Sequence, residues 1–253
     1  ADLPMGSPTF PLGAAILIFY GLNTLTFVSL GQLLGEAFKD IQSPLVAYGA
    51  NLLGSLAGTL AFVAVSFAEW GPRLWFASAL ALLACSVGTL RRVMAILSAL
   101  VIFVVIAPPD ADVTWSPYYA LRRSPIKFAD ARIFSPDELA ILKDAADPGY
   151  NVTVNGSFHQ AALNLDSGAV TLFPVLDEMR DKYGWPYHYM RRELGVIPRD
   201  VLIIGAGTGN DVQIALDHGA EYIDAVEIDP VILRWGHEIH PNHPYSDPRV
   251  HTH

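Results

Sequence analysis

The sequence predicts a two-part protein. A membrane α-helical bundle is followed by an α/β part, the start of a Rossmann-like nucleotide-binding sheet preceded by a small β-rich subdomain. Three observations predict it. Residues 1–109 hold four long stretches with no charged side chain. Residues 201–229 read as strand, glycine-rich turn, helix, strand and closing acid. Between these parts the chain is rich in strand-forming residues around an Asn155-Gly156 turn signal. The expected boundaries are 1–109 for the membrane region, 110–172 for the β-rich subdomain and 173–253 for the incomplete α/β domain.

The membrane region comes first. The chain has 253 residues, 52% hydrophobic, and a positive mean hydropathy. The excess is local. No charge lies between Asp2 and Glu36, Asp40 and Glu69, Arg73 and Arg91, or Arg92 and Asp110. A span needs about 20 apolar residues, with roughly 17 the lower limit. Four spans are expected, the last two near that limit. No basic residue precedes the first, so it does not read as a cleaved signal peptide. Ala50, Gly54 and Gly58 recur at helical spacing beside Asn51, Ser55 and Thr59, which reads as helix-packing glue. Spans without acids or bases make poor ion-coupled transport machinery. The single cysteine, Cys85, lies in the third stretch and reads as a packing residue, with no disulfide framework or thiolate metal site.

Charge separates the two halves. Four acids (Asp2, Glu36, Asp40, Glu69) balance four bases (Lys39, Arg73, Arg91, Arg92) before residue 110, so the net −9 belongs to residues 110–253. Such a domain repels phosphates, which argues against nucleic acid. Lys39, Arg91 and Arg92 fall on one side of the membrane, and Arg73, Arg122, Arg123 and Lys127 on the other. That is no clear positive-inside bias. The soluble domain is placed in the cytosol, at the inner membrane surface, because nucleotide-type cofactors are kept there. Asn151-Val152-Thr153 and Asn155-Gly156-Ser157 match glycosylation sequons, so glycan there would reverse this orientation.

The β-rich part follows Pro108-Pro109-Asp110. Residues 151–154 and 157–160 read as strands joined by Asn155-Gly156, the strongest short hairpin signal. Ser135-Pro136-Asp137-Glu138 reads as a short helix start. Residues 174–194 read as helix broken near Gly184-Trp185-Pro186. The aromatic run Trp185 to Tyr189 reads as domain packing. Asp229 caps a last helix with Pro230 at its first position. Arg249-Val250-His251 begins a third strand, so the sheet is expected to continue beyond His253.

The glycine turn carries the chemistry. Val201–Ile204 leads into Gly205, Ala206, Gly207, Thr208 and Gly209, and a second apolar run carries Glu227 and Ile228. Glycine lets backbone approach a ligand, and the helix that follows aims free N–H groups at it. An acid about 20 residues on takes ribose hydroxyls. The pattern GAGTGND is not the dinucleotide G-x-G-x-x-G, because Asn210 fills the third glycine place. This points away from a pyrophosphate and toward S-adenosylmethionine or a relative. Among the histidines, His237 and His240 lie one turn apart with His243 nearby, but no carboxylate completes a metal pattern. No metal is expected; these residues read as a polar helix end.

Trp115-Ser116-Pro117-Tyr118-Tyr119, Val154-Asn155-Gly156-Ser157-Phe158-His159-Gln160, the Gly205–Asp211 turn, Val226-Glu227-Ile228-Asp229 and Asp247-Pro248-Arg249-Val250 together resemble the spermidine synthase-like family. The resemblance is to its multi-span membrane forms with a fused transferase domain, over residues 112–253, with a looser match at Tyr48–Gly58. It implies that Gly205, Ala206, Gly207, Thr208, Gly209, Glu227 and Ile228 bind S-adenosylmethionine or its decarboxylated form. It implies that Gln160 and Asp211 face the substrate. Soluble aminopropyltransferases carry an acid where this chain has Thr208; Asp211 either replaces it or caps the helix. The family's catalytic acid would lie beyond His253.

Three functions follow as expectations. The first is aminopropyl transfer to a polyamine. The second is S-adenosylmethionine-dependent methyl transfer, which needs fewer amine-holding acids. The third is a non-catalytic ligand-binding module coupled to the membrane helices. Expected partners are a small amine or methyl acceptor and the lipid bilayer, with homo-oligomerisation left open.

Overall fold

The computed structural model describes residues 11–86, 88, 89, 93, 96, 100, 112–126 and 147–253. By its contacts the chain divides into two units, residues 1–61 and 62–253.

Two long apolar helices dominate the first part. Helix α1 spans Leu12–Lys39 and α2 spans Pro44–Phe67. At about 1.5 Å per residue both exceed the ~30 Å of a hydrocarbon core. They are the two described helices long and apolar enough to cross a membrane. Their side chains Leu17, Phe19, Phe27, Leu45 and Leu53 are exposed. The small-residue face of α2 is open, since a methyl at Gly54 or Gly58 would meet nothing within 4 Å. No packing partner of this face lies among the described residues. Helix α3, Pro72–Ser86, has 15 residues, short of the expected third span. Its Cys85 is exposed rather than packed. The fourth expected span and the expected helix at 135–138 lie outside the described residues.

Two sheets follow. The first is an antiparallel meander of β1 (Val113–Trp115), β2 (Ala120–Pro125), β3 (Gly149–Val154) and β4 (Ser157–Leu163). Asn155 at φ +51 and Gly156 at φ +84 make the β3–β4 turn, the left-handed pair that a two-residue hairpin needs. The register shifts within this pair, with Val152 opposite Gln160 but Thr153 opposite Phe158. Such a bulge re-aims the side chains beside it. Buried Leu121 of β2 and Val152 of β3 pack on Val231, Ile232 and Trp235 of the helix at Pro230–Ile239.

The second sheet is parallel, ordered β5 (Asp200–Ile204), β6 (Tyr222–Val226), β7 (Val250–Thr252). Parallel neighbours require crossovers, supplied by α6 (Asn210–Asp217) and α7 (Pro230–Ile239). Ile223 and Ala225 of β6 bury against Val212 and Ala215 of α6. Leu202 and Ile204 of β5 remain exposed. Helices α4 (Ser167–Leu172) and α5 (Pro174–Tyr189) join the sheets. Leu163, Leu165, Ala169, Phe173 and Leu176 meet Ile214 of α6 in one core cluster.

The expected break near Gly184-Trp185-Pro186 is absent. Helix α5 runs through Pro186 and ends in a π-turn at Met190–Leu194. Proline removes one helical hydrogen bond there. Packing of Tyr183 and Tyr187 on either side of Pro186, against the two cores, holds the helix together. Within the aromatic run, Tyr187 stacks on His218 at 4.9 Å, while Trp185 is exposed and stacks only on Tyr189.

The edge between β3 and β4 gives a direct test. Gly149 opens β3 at φ +116, and a methyl there would overlap the Ala162 carbonyl of β4. Gly149→Ala is expected to lower stability by about 2 kcal/mol or more, from backbone strain and lost pairing. Urea unfolding of the variant against wild type measures it.

Candidate functional site

The site is built at the carboxyl ends of β5 and β6. Strand β5 delivers the chain to Gly205, whose N–H, with that of Ala206, donates to the Val226 carbonyl at 2.8 and 2.9 Å. This ties the turn to the end of β6. Two residues beyond Gly207, Gly209 precedes α6 as its cap, with no side-chain cap bond. Asp211 therefore does not cap α6. It stands in the first turn, and burial raises its carboxyl above the usual range.

Glu227 faces the turn. Its Oε2 accepts the Gly207 N–H at 2.8 Å, and its Oε1 accepts the Asp229 N–H at 2.9 Å. Asp229 in turn accepts from Val231 and Ile232, capping α7. The Glu227 carboxylate thus links the turn to the helix after β6. A carboxylate has about four acceptor sites; these bonds use two and leave two for a ligand's hydroxyls. Ile228 beside it is 72% exposed and Ile204 79%. A methyl on Gly205 would meet nothing within 4 Å. Gly205 is therefore open at the mouth of the turn, beside an acid and apolar surface, while residues 206–210 are buried.

The meander contributes Gln160. Its Oε1 accepts the Thr208 N–H at 3.2 Å and lies where a side chain on Gly207 would sit. With φ +59 as well, Gly207 leaves no place for another residue. The structure thus brings Gly207, Thr208, Glu227 and Gln160 into one hydrogen-bonded group. Ala206 and Thr208 are buried, and the Thr208 hydroxyl has no partner. Gly209 packs on Pro244 and Tyr245. Asp211 acts at a distance, through its charge on Tyr187 and Tyr245.

Sequence reasoning missed three residues here. Tyr245 donates its hydroxyl to the Gly207 carbonyl at 2.9 Å and fills the space beside Gly209 and Gly236. Burial first, and then the charges of Glu227 and Asp211, raise its phenol. Asn210 and His240 form the second group. Asn210 Oδ1 accepts the Leu163 N–H at 3.0 Å and lies 3.1 Å from His240 Nε2; its Nδ2 donates to the Ala161 carbonyl at 2.7 Å and to Tyr183 Oη at 3.1 Å. His240 Nδ1 accepts the Asn242 N–H at 3.2 Å, so Nε2 carries the proton and donates. His240 is fully buried. It stands at the end of α7, as the polar helix end expected from sequence, but turned inward. No local pattern announces these residues, because the partners that join them to other elements lie 27 or more positions away.

Cavities of about 250, 330 and 450 Å³ lie elsewhere. They are centred on His188 and His218, on Pro244 and Arg249, and on Tyr150 and Pro241. Among the described residues no group of three or more acids, histidines or cysteines is arranged to hold a metal ion.

The histidine yields a pH prediction. Burial, and then His243, hold the His240 imidazole down at about 3 against an ordinary 6.5. Above pH 6.5 both folded and unfolded states are neutral there, and the group has no pH effect. Below it the unfolded chain takes up the proton first, so stability falls by about 1.4 kcal/mol per pH unit toward pH 3. Denaturation at pH 7.5 and 5.5 should show about 1.4 kcal/mol of pH-dependent loss that His240→Gln lacks.

No protein-family model matches this chain, and no curated protein matches it. Among solved structures, a proposed RNA methyltransferase from Pyrococcus horikoshii matches at 25% identity over 30% of this chain and 36% of that one, with a TM-score of 0.24. This chain thus spans about a third of that structure's length.

Proposed function

We propose that the chain is the ligand-binding part of a membrane-attached transferase that takes S-adenosylmethionine, or its decarboxylated form, at the glycine turn. One observation carries this reading: the Glu227 carboxylate bonds the glycine turn at Gly207, near open Gly205, and keeps acceptor capacity beside exposed Ile228. In this reading Glu227 holds the ribose hydroxyls and Ile228 lies against the adenine. The Gly205, Ala206, Gly207, Thr208 and Gly209 backbone passes beneath the sugar and tail. Gln160, already seated on Gly207, faces the reactive end.

The ligand supplies an electrophilic carbon bonded to a positive sulfur. When bound, that carbon would be open to an acceptor's lone pair, with the C–S bonding pair left on sulfur. The acceptor's proton passes to a base. The protein's part is to hold the carbon and the acceptor in line.

Between the two transfers, the burial of Thr208 favours methyl over aminopropyl. Where the resemblance leads one to expect an acid holding an amine, a hydroxyl is buried instead, and Asp211 bears on tyrosines rather than on the turn. Aminopropyl transfer is the second reading. The acceptor is proposed to be small, since the negative net charge repels nucleic acid. Helices α1 and α2 are proposed to attach the chain to the inner membrane, with the soluble part cytosolic.

Calorimetry of the chain with both cofactors tests the reading. Tighter binding of S-adenosylmethionine is expected; tighter binding of the decarboxylated form would shift the choice to aminopropyl transfer. Glu227→Ala should weaken binding by about 1.5–3 kcal/mol, roughly 10- to 100-fold, and an unchanged affinity removes Glu227 from the site. For orientation, expression in a eukaryotic membrane system should leave Asn151 and Asn155 without glycan. A mass shift reversed by glycosidase would put the domain on the other side.

A further inference from the structure

The end of α2 is closed in a way its sequence does not favour. The Glu69 N–H donates to the Ser66 carbonyl at 3.0 Å, and the Trp70 N–H to the Val65 carbonyl at 3.2 Å. These are the two bonds of a Schellman closure, with Glu69 in its left-handed position at φ +58. Glycine takes that position at no steric cost, and glutamate does not. An outlier of this kind invites a functional explanation.

The explanation lies 165 residues on. Arg234 Nη1 donates to Glu69 Oε1 at 2.7 Å, and Nη2 to Oε2 at 2.9 Å. Two parallel bonds fix direction as well as distance. The two side chains are 43% and 32% exposed, and pairs so exposed add little to stability. What the two-point bond adds at a glycine position is placement.

Arg234 sits one turn into α7, whose first N–H groups are held by Asp229. The N–H of Asp229 goes to Glu227 Oε1, and Glu227 Oε2 takes the Gly207 N–H. Linked bonds thus run from Glu69 through Arg234, α7, Asp229 and Glu227 to the glycine turn. A second contact braces the same joint. Trp75 of α3 meets Trp115 of β1 edge-on at 5.5 Å, and Gly71 lies against the Trp115 ring.

We propose that Glu69 is a positioning residue for the glycine-turn site: held at the end of α2, it fixes Arg234 and α7, and through the α7 cap it sets the Glu227 carboxylate against the turn. The end of the second apolar helix thereby tunes ligand affinity, and by linkage ligand binding tightens the joint. The inference rests on the adenosyl reading of that turn.

The test uses the chain in lipid nanodiscs, comparing wild type, Glu69→Gly and the reversed pair Glu69→Arg with Arg234→Glu. Glycine suits the left-handed position, so Glu69→Gly is expected to melt no lower than wild type. Two quantities are read: hydrogen exchange at the Val231 and Ile232 amides, and affinity for S-adenosylmethionine. Glu69→Gly should speed exchange and weaken binding about fivefold or more, and the reversed pair should recover most of both. Unchanged exchange overturns the proposal. So does faster exchange with unchanged affinity, because α7 is then held without setting the site, and so does a loss that the reversed pair does not recover. Failure of the adenosyl reading looks different: wild type itself binds no S-adenosylmethionine, and the exchange rates alone then decide whether Glu69 holds α7.

Discussion

Asn210 is the residue on which this structure depends. Its carboxamide has four hydrogen-bonding capacities, and together they reach three pieces of chain. The acceptor serves the Leu163 N–H and His240; the donors serve the Ala161 carbonyl and Tyr183. One side chain at the head of α6 thus binds the end of β4, the middle of α5 and the end of α7. A buried polar group met this completely rigidifies its surroundings, and one half-met is costly. The neighbouring Asn242 extends the seam, donating to Asn164 and accepting the Leu165 N–H. The two sheets are joined by polar bonds here and by apolar packing of Leu121 and Val152 on α7.

That seam places Gln160 where it is. Strand β4 carries Gln160 at one end of its inner stretch and Leu163 at the other, and the bulge opposite Val152 sets the residue's direction. With β4 pinned by Asn210, the Gln160 carboxamide reaches the Thr208 N–H across the junction. The glycine turn is held from below by Tyr245, from β6 by the Val226 carbonyl and from the side by Glu227. Preorganisation of this kind spares a ligand the cost of ordering the turn. The buried hydroxyl of Thr208 has no hydrogen-bond partner among the described residues and stands outside this scheme.

The same residue explains a departure from pattern. In a dinucleotide turn a third glycine allows close packing of helix on strand. Here Asn210 takes that place, and its side chain does the joining. The ligand side of the turn stays open, while its far side is committed to holding the meander. Gly236 and Gly209, both pressed by Tyr245, supply the close approach elsewhere.

The sequence by itself determined the elements whose causes are local. The Asn155-Gly156 turn, the Asp229-Pro230 helix start, the glycine-rich bend and the two long apolar helices each follow from residues within a few positions of one another, because positive φ, capping and hydropathy act over one turn or one span. Spacing alone put Glu227 with the Gly207–Thr208 turn, whereas Gln160 joined them only through a family resemblance. Tertiary structure decided the rest. It carried α5 through Pro186, buried His240 as a neutral donor, and paired Glu69 with Arg234 and Tyr245 with Gly207. Such pairings join residues far apart in the chain, and their stability comes from shared burial and directional bonds that exist only once the elements have packed.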